Sequence, residues 1–286
     1  MKMIKPVVNL SKAAENYDTF ILGYNGVLHE GGAILPAAAD VIMNLASRGK
    51  KLVLLTNSAS RIAAIADWLT ANGINPRLFS CIMSAGEILH YKLKSGSGSY
   101  GALGRKYYHL GTVVDNGVFC GLDYARVNNL NMAHFLYMNE VGDVNDTIDT
   151  YRPLLMPAAG LGIPFVCAGN DTSCFKDGKI CLAAGAIAEQ YAIMGGRILT
   201  LGKPDINIFK YCLDGIPDVG NILVIGDNVA TDIRGAAMLG LDSMLITKGV
   251  HVNFLGEGYI PDVTKTRELS DSYDASPGYV ISNLRW

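Results

Sequence analysis

The sequence has few charged residues and no cluster of one sign. Of its 286 residues, 17% are charged and 50% are hydrophobic, which is typical of a compact globular protein and excludes extensive disorder. The formal net charge is -2, and the lysines and arginines are scattered along the chain. Because binding to nucleic acid or to an anionic membrane requires a basic patch, we expect neither as a partner.

Long apolar runs are also missing. No segment approaches the roughly 20 consecutive apolar residues that span a bilayer. The stretch MKMIKPVVNLSKAAENYD at the start of the sequence contains no apolar core of signal-peptide length. We therefore expect a cytoplasmic protein.

The six cysteines include no Cys-x-x-Cys pair. Cys167, Cys174 and Cys181 recur at intervals of seven residues, which leaves a metal or disulfide cluster as an alternative. The segments around them resemble a separate strand, turn and helix. Buried, reduced thiols are therefore the favoured interpretation.

What the sequence does contain is a repeated alternation of short apolar runs and amphipathic stretches, punctuated by glycine. The runs predicted as strands are FILGYNGVL, KLVLLTNS, RILTLG, NILVIGD and SMLITKGV, and the helices between them are predicted at 36–48, 60–71, 204–213 and 231–239. Uninterrupted apolar strands indicate a parallel sheet that is covered on both faces. The predicted fold class is therefore α/β, with a Rossmann-like, doubly wound parallel sheet.

The alternation weakens between residues 88 and 179. The glycine-rich stretch KLKSGSGSYGALG opens this region, and because no strand precedes it we interpret it as a hinge or surface loop rather than a dinucleotide-binding loop. Strand candidates KYYHLG, HFLYMNEV and IPFVCAGN follow, with a helix at 148–159 that Pro153 and Pro157 should shorten or kink. We predict a core domain of residues 1–87 and 180–286, and an inserted α/β cap domain of residues 88–179.

The segment VIGDNVATDIRGA contains two carboxylates, one at the end of the predicted strand NILVIGD and one five residues later. Ligands of doubly wound sheets bind beyond the carboxyl ends of the strands, where Asp227 is expected to lie, and Asp232 follows in the next helical turn. Paired hard oxygens suit Mg²⁺. The alternative is structural, with Asp227 ending a strand and Asp232 capping a helix.

Two further turns carry groups that suit a phosphate. In LLTNSAS, Thr56 and Asn57 lie where a strand passes into a helix N-terminus, whose free N–H groups favour an oxyanion, although helix capping by a serine would also explain the turn. In LGKPD, Lys203 adds a positive charge beyond another strand. Beside carboxylates and an oxyanion site, such a lysine completes a phosphate clamp.

The segments FILGYNGVLHEGG, LLTNSAS, GKPDINIFKYCL and VIGDNVATDIRGA resemble, in order and spacing, the four motifs of haloacid dehalogenase-like (HAD) phosphatases of subfamily IIA. The resemblance extends to DTYRPLLMPAAGLGIPFVCAGND, CLAAGAIAEQYAIMGGR and PGYVISNLRW, and so covers nearly the whole chain. It implies a Rossmann-like core, a large α/β cap inserted after the second motif, and Mg²⁺-dependent hydrolysis of small phosphate monoesters. It also implies that the cap sets substrate choice.

The first motif departs from the family pattern. Family members begin D-x-D-G-V-L or a close variant, in which the first Asp attacks phosphorus and the second carboxylate transfers a proton; the matching positions here are Gly23 and Asn25. Glycine cannot form an aspartyl-phosphate, and an amide does not exchange a proton as a carboxylate does. Asp18 should lie about 16 Å away along the strand, and His29 and Glu30 should approach from another direction. None of these is a convincing nucleophile.

The binding residues implied by the resemblance remain. Thr56, Asn57 and Lys203 are assigned to phosphate, and Asp227, Asp232 and the side-chain carbonyl of Asn25 to Mg²⁺. Lys203 and Asp227 also belong to the catalytic set, together with the degenerate positions 23 and 25.

Three functions follow. The favoured one is a protein that binds a small phosphorylated metabolite, or a protein partner, with impaired or lost phosphatase activity. The second is an active Mg²⁺-dependent phosphatase in which water attacks phosphorus directly. The third is a non-catalytic scaffold that forms a homodimer through its cap.

Overall fold

The computed structural model describes residues 3–113, 117–176 and 178–286. The chain forms two compact units. The first comprises Met1–Thr56, Ala66–Met83 and Lys203–Trp286, and the second comprises Asn57–Ile65 and Ser84–Gly202. The chain therefore leaves the first unit and later returns to it, as it does around an inserted domain.

The helices and strands are short and alternate along much of the chain. The strands are β1 (Lys5–Pro6), β2 (Thr19–Leu22), β3 (His29–Glu30), β4 (Ala33–Ile34), β5 (Lys51–Thr56), β6 (Phe79–Ser84), β7 (Lys106–Leu110), β8 (Ala125–Val127), β9 (Phe135–Met138), β10 (Phe165–Ala168), β11 (Ser173–Lys176), β12 (Lys179–Leu182), β13 (Ile198–Leu201), β14 (Ile222–Gly226), β15 (Asp242–Ile246) and β16 (Tyr279–Ile281). The helices are α1 (Ser11–Ala14), α2 (Ala38–Ser47), α3 (Ile62–Ala71), α4 (Ala85–Ser95), α5 (Ile148–Gly160), α6 (Ala184–Ile193), α7 (Ile206–Asp214), α8 (Arg234–Met238), α9 (Val252–Leu255) and α10 (Val263–Ser272). A π-helical turn, Val229–Ile233, precedes α8.

The first unit is built on a seven-stranded sheet with the order β1-β16-β15-β14-β2-β5-β6. The pairings of β1 with β16, β16 with β15, β15 with β14, β14 with β2, and β2 with β5 are all parallel. Every residue of β2 is buried, as is expected for a central strand covered on both faces. The Rossmann-like parallel sheet predicted from the apolar runs is confirmed.

The second unit contains a five-stranded parallel sheet with the order β13-β10-β9-β7-β8. Side chains alternate between the two faces of each strand. Leu136 and Met138 of β9 pack in one core with α5 and α6, whereas Phe135 and Tyr137 pack in the other with α4. HFLYMNEV thus belongs to a different sheet from FILGYNGVL, as an inserted domain requires.

The observed domain boundaries differ from the predicted ones. Residues 180–202, assigned to the core from sequence, belong to the second unit because β13 pairs with β10 from Phe165↔Ile198 to Ala168↔Leu201. Residues 57–65 and 84–87 also belong to the second unit. An apolar run predicts a strand, but it does not predict which sheet the strand joins.

Two local predictions were correct only in part. Helix α5 is not shortened, since it continues through Pro153 and Pro157 for 13 residues, supported by a capping box at Thr147 and by the buried Tyr151 and Leu155. The stretch KLKSGSGSYGALG is not a hinge between the units, because it lies inside the second one. There the exposed Gly96, at φ 62°, ends α4 in the left-handed conformation.

Among the described residues, no helix is both long and apolar enough to cross a membrane.

Candidate functional site

The loop after β2 carries Gly23 and Asn25, which the sequence aligns with the acidic positions of the first motif. The Gly23 N–H donates to the Ile225 carbonyl at 2.8 Å, so the backbone at this position continues the pairing of β2 with β14. Gly23 is not among the glycines with positive φ. An ideal Cβ placed on it would lie 2.9 Å from Val27 Cγ2 and 3.7 Å from Asp232 Oδ1. Glycine is therefore not required by backbone conformation at this position, and a side chain there would point towards Asp232.

Asn25 is the exposed residue of this loop, between the buried Tyr24 and Gly26. The loop is held by the hairpin of β3 and β4: Asn25 forms a bridge with His29, and the Gly26 N–H donates to the His29 carbonyl at 2.8 Å. The amide at position 25 is thus presented to solvent on a fixed backbone.

The loop after β14 supplies two buried carboxylates. Asp227 is 5% exposed, and its Oδ2 accepts a hydrogen bond from the Val250 N–H at 3.0 Å. Asp232 is 3% exposed, and its Oδ2 accepts from the Asn228 N–H at 3.2 Å. The prediction of a regular helix from residue 231 was wrong here, because Asp232 lies in the π-helical turn. That turn directs its carboxylate back towards the strand end.

Lys203 is buried beside Asp232. Its Nζ lies 2.7 Å from Asp232 Oδ1 and 3.0 Å from the Leu55 carbonyl oxygen, and the residue is 5% exposed. It was expected to follow a strand of the core sheet, but the preceding strand, β13, belongs to the second unit. Its neighbour Pro204 was expected in the first helical turn; α7 begins at Ile206 instead, because Asp205 caps it. The side chain of Lys203 nevertheless joins Asp232 at the end of β5.

Three glycines that the sequence analysis did not assign surround these carboxylates. A Cβ on Gly26 or on Gly249 would collide with Asp227, and a Cβ on Gly226 would collide with Asp232. Gly26 also has φ +68°, a conformation that L side chains rarely adopt. These glycines allow the backbone to approach both aspartates. They are recognised from the short distances between an added Cβ and the aspartate side chains, which the sequence does not reveal.

Thr56 and Asn57 fall on either side of the division between the units. Thr56 ends β5 in the first unit and is buried. Asn57 belongs to the second unit, where its Nδ2 donates to Asp171 Oδ1 at 3.3 Å. A Cβ on Gly202, in that same unit, would collide with Asn57 Oδ1. The structure thus brings together Gly23, Lys203 and Asp232 in the first unit and places Asn57 among residues of the second.

Two half-buried histidines contact these loops. His29 lies 4.0 Å from Tyr24 and 4.9 Å from Trp68 between ring centroids. Among the described residues, neither of its buried ring nitrogens has a hydrogen-bond partner. His251 Nε2 accepts from the Val229 N–H at 3.1 Å. Burial lowers the pKa of both imidazoles to about 4, so both are neutral near pH 7.

Asp18 lies at the opposite end of β2 from Gly23. It precedes Thr19, and its Oδ2 accepts from the Asn221 N–H at 3.0 Å. It therefore cannot replace a side chain at position 23.

Whether these residues fit Mg²⁺ depends on their donor chemistry. Asp227 and Asp232 supply hard oxygens, and Asn25 lies in the adjoining loop, although Lys203 already contacts one oxygen of Asp232. Within the described ranges, no three His, Cys, Asp or Glu side chains form a group that could hold a metal ion. Mg²⁺ is commonly bound by one or two carboxylates together with water and phosphate oxygens. The residues therefore fit an ion that binds together with a phosphate, not one caged by protein alone.

Two family models match the chain, one in its first half and one at its end. Residues 20–121 match the model described as haloacid dehalogenase-like hydrolase, and residues 200–286 match the model described as HAD-hydrolase-like. The 5'-nucleotidase YutF of Bacillus subtilis is 21% identical over 94% of this chain and 97% of its own length. The ribonucleotide monophosphatase NagD of Escherichia coli is 25% identical over 80% of this chain and 87% of its own.

Solved structures share the fold. A hydrolase of the haloacid dehalogenase-like family from Brucella suis 1330 superimposes with a TM-score of 0.78 and 25% identity, covering 96% of this chain and 98% of its own. The glycerol phosphate phosphatase of Mycobacterium tuberculosis, solved in complex with magnesium, has a TM-score of 0.61 and 18% identity, covering 99% of this chain and 78% of its own.

Proposed function

Because the chain belongs to subfamily IIA of the haloacid dehalogenase-like superfamily, we propose that it binds a small phosphate monoester and does not hydrolyse it by the covalent route of that family. The observation that carries the proposal is the contrast between Gly23, which has no side chain, and the buried Lys203–Asp232 pair beside it. The groups suited to phosphate and cation are present, whereas the attacking carboxylate is missing.

Lys203 provides the positive charge for the phosphate, and Thr56 at the end of β5 provides a hydroxyl. The 2.7 Å contact with Asp232 holds the ammonium in place but also neutralises part of its charge. Mg²⁺, when bound through Asp227, Asp232 and Asn25, would neutralise phosphate charge. Because Asp232 is shared by the lysine and this ion, we expect Mg²⁺ and phosphate to bind cooperatively.

The names of the relatives suggest the class of ligand. NagD is a ribonucleotide monophosphatase and YutF a 5'-nucleotidase, so nucleoside monophosphates are the first ligands to test. Small sugar and glycerol phosphates form the second group.

The test is a calorimetric titration of a nucleoside monophosphate into the protein with MgCl2. We expect binding by the wild type, and binding weakened about 10- to 100-fold in Lys203→Met, as a lost charged hydrogen bond predicts. Lys210→Met is the matched control, because Lys210 is exposed on α7. Thr56→Ala gives a second variant in case Lys203→Met unfolds. Absence of binding by the wild type to every phosphate monoester tested would refute the proposal.

The retained Lys203, Asp227 and Asp232 favour one alternative, an active hydrolase in which water attacks phosphorus directly. In that case the wild type would release inorganic phosphate at ordinary enzyme rates, and Lys203→Met would abolish the release.

A further inference from the structure

Two of the cysteines spaced seven residues apart face each other on a hairpin. Strands β11 and β12 pair antiparallel, and their register places Cys174 directly opposite Cys181. The two Sγ atoms are 3.1 Å apart, in hydrogen-bond contact, and both cysteines are reduced. Cross-strand neighbours on a hairpin are held in register by the backbone, so the two sulfurs remain close together.

The third cysteine of the series does not join them. Cys167 is fully buried on β10, and its thiol donates to the Gly169 carbonyl at 3.2 Å. Within the described residues no cluster of three metal-ligating side chains includes the pair. The sequence spacing therefore gives a dithiol, not a three-cysteine metal site.

We propose that Cys174 and Cys181 form a reversible disulfide and are a modification site of this protein. The reaction is thiol–disulfide exchange with a low-molecular-weight disulfide such as oxidised glutathione. One cysteine thiolate attacks a sulfur of that disulfide and releases one thiol, and the second cysteine then displaces the other. The protein loses two protons and two electrons, and the oxidant gains them to become two thiols.

Another pair of cysteines, Cys81 and Cys212, also interact. Each pair has one partly exposed member, Cys81 or Cys174, and one buried member, Cys212 at 1% exposed or Cys181 at 7%. Cys174 and Cys181 differ in lying directly opposite each other on paired strands, with their Sγ atoms 3.1 Å apart. Burial and the contact with Cys181 raise the pKa of the Cys174 thiol, which slows attack by that sulfur at neutral pH. Oxidation is therefore best measured at about pH 8.5, where the thiolate fraction is larger.

The experiment is peptide mapping of the full-length protein after treatment with oxidised glutathione. Trypsin cleaves after Lys176 and Lys179, which lie between the two cysteines, so a disulfide joins peptides that would otherwise separate. We expect a protein lighter by two hydrogens, with Cys181 linked to the peptide that contains Cys174, and loss of the link on treatment with dithiothreitol. The same peptide contains Cys167, so Cys174→Ser should abolish the link and Cys167→Ala should retain it.

The exposed Cys120 serves as an internal control for the oxidant. If Cys120 carries glutathione while Cys174 and Cys181 stay unlinked, the proposal is wrong. It is equally wrong if the link survives in Cys174→Ser. Should that variant fail to fold, fragmentation of the wild-type linked peptides still distinguishes Cys174 from Cys167. This inference does not depend on phosphate binding.

Discussion

The loops after β2 and β14 differ in chemistry although their strands are direct neighbours. β2 pairs with β14 in parallel, with Leu22 opposite Ile225, so both loops begin at the same edge of the sheet. The β14 loop supplies the buried carboxylates Asp227 and Asp232. The β2 loop supplies Gly23, which has no side chain, and Asn25, which has no charge.

The two buried carboxylates and the two positions that lack a carboxylate therefore lie on separate, neighbouring loops. The ion pair of Asp232 with Lys203 needs only the β14 loop and a lysine from elsewhere in the chain. The backbone of the β2 loop forms hydrogen bonds from the Gly23 and Gly26 N–H groups, which involve no side chain of that loop. The proposal that binding persists without covalent catalysis rests on this separation of the two loops.

The largest expected effect is a gain of activity in the double variant Gly23→Asp with Asn25→Asp. Position 23 does not need a positive φ, and a Cβ there would lie 2.9 Å from the Val27 methyl and 3.7 Å from Asp232 Oδ1. Restoring the covalent and proton-transfer routes together should raise phosphatase activity by more than about 10⁴-fold. Release of inorganic phosphate measures it, with circular dichroism as the check on folding. A wild type that turns over at ordinary enzyme rates, with a double variant no faster, would mean that another residue attacks phosphorus.

The second effect concerns stability of the β14 loop. Lys203→Met leaves Asp232, 3% exposed, without its partner charge, and should lower the free energy of unfolding by about 3–5 kcal/mol. Adding Asp232→Asn removes the uncompensated charge and should recover part of the loss. Urea unfolding compares the two variants. If the double variant is no more stable than the single one, the ion pair does not control stability here.

The third effect compares two half-buried histidines, His29 of β3 and His251 just before α9. Each has a folded-state pKa near 4, below its unfolded value, so the unfolded state binds more protons between pH 4 and 6.5. Above about pH 6.5, each histidine is neutral in both states and does not lower the free energy of unfolding. As the pH falls to 4, each lowers that free energy by up to about 3 kcal/mol.

Substitution should separate the two histidines. His29→Phe should reduce the fall in the free energy of unfolding between pH 6.5 and 4. It should cost little stability at pH 8, because among the described residues the ring nitrogens of His29 have no hydrogen-bond partners. His251→Phe should also reduce this fall, but should lose about 1–3 kcal/mol at pH 8, because the Val229 N–H loses its acceptor. Unfolding measured across pH tests both expectations. The same cost for both variants at pH 8 would contradict the distinction.

The smallest effect concerns a glycine contact between the two loops. Gly26→Ala places a methyl group against Asp227, whereas Gly31→Ala, also at positive φ, meets nothing within 4 Å. Both should lose about 1 kcal/mol of stability from the backbone conformation, and Gly26→Ala should lose more because its methyl group collides with Asp227. Only Gly26→Ala should also weaken binding of phosphate with Mg²⁺, several-fold in a calorimetric titration. A similar loss of affinity in Gly31→Ala would argue against a role for the contact.

These particulars show what sequence could predict. Apolar runs identified β2, β5 and β14, because buried parallel strands are continuously hydrophobic. The same signal assigned β13 to the wrong domain, since sheet membership depends on pairing partners distant in sequence.

The site shows the same limit. Asp227, Asp232 and Lys203 follow recognisable turns, so sequence alone nominated them. Gly26 and Gly249 are recognised only in the structure, where a Cβ on either would collide with Asp227. His251 is recognised only from its contact with the Val229 N–H. Residues that act by their position rather than by their chemistry carry little local signal.

The most direct test of binding without covalent hydrolysis is a ³¹P NMR time course of a nucleoside monophosphate with wild-type protein and Mg²⁺. Binding would shift or broaden the ester resonance, and hydrolysis would produce the inorganic phosphate resonance. A protein that binds the ester without hydrolysing it should give a shifted or broadened ester signal of constant area. An inorganic phosphate signal growing at ordinary enzyme rates, or an ester signal unaffected by protein, would contradict it.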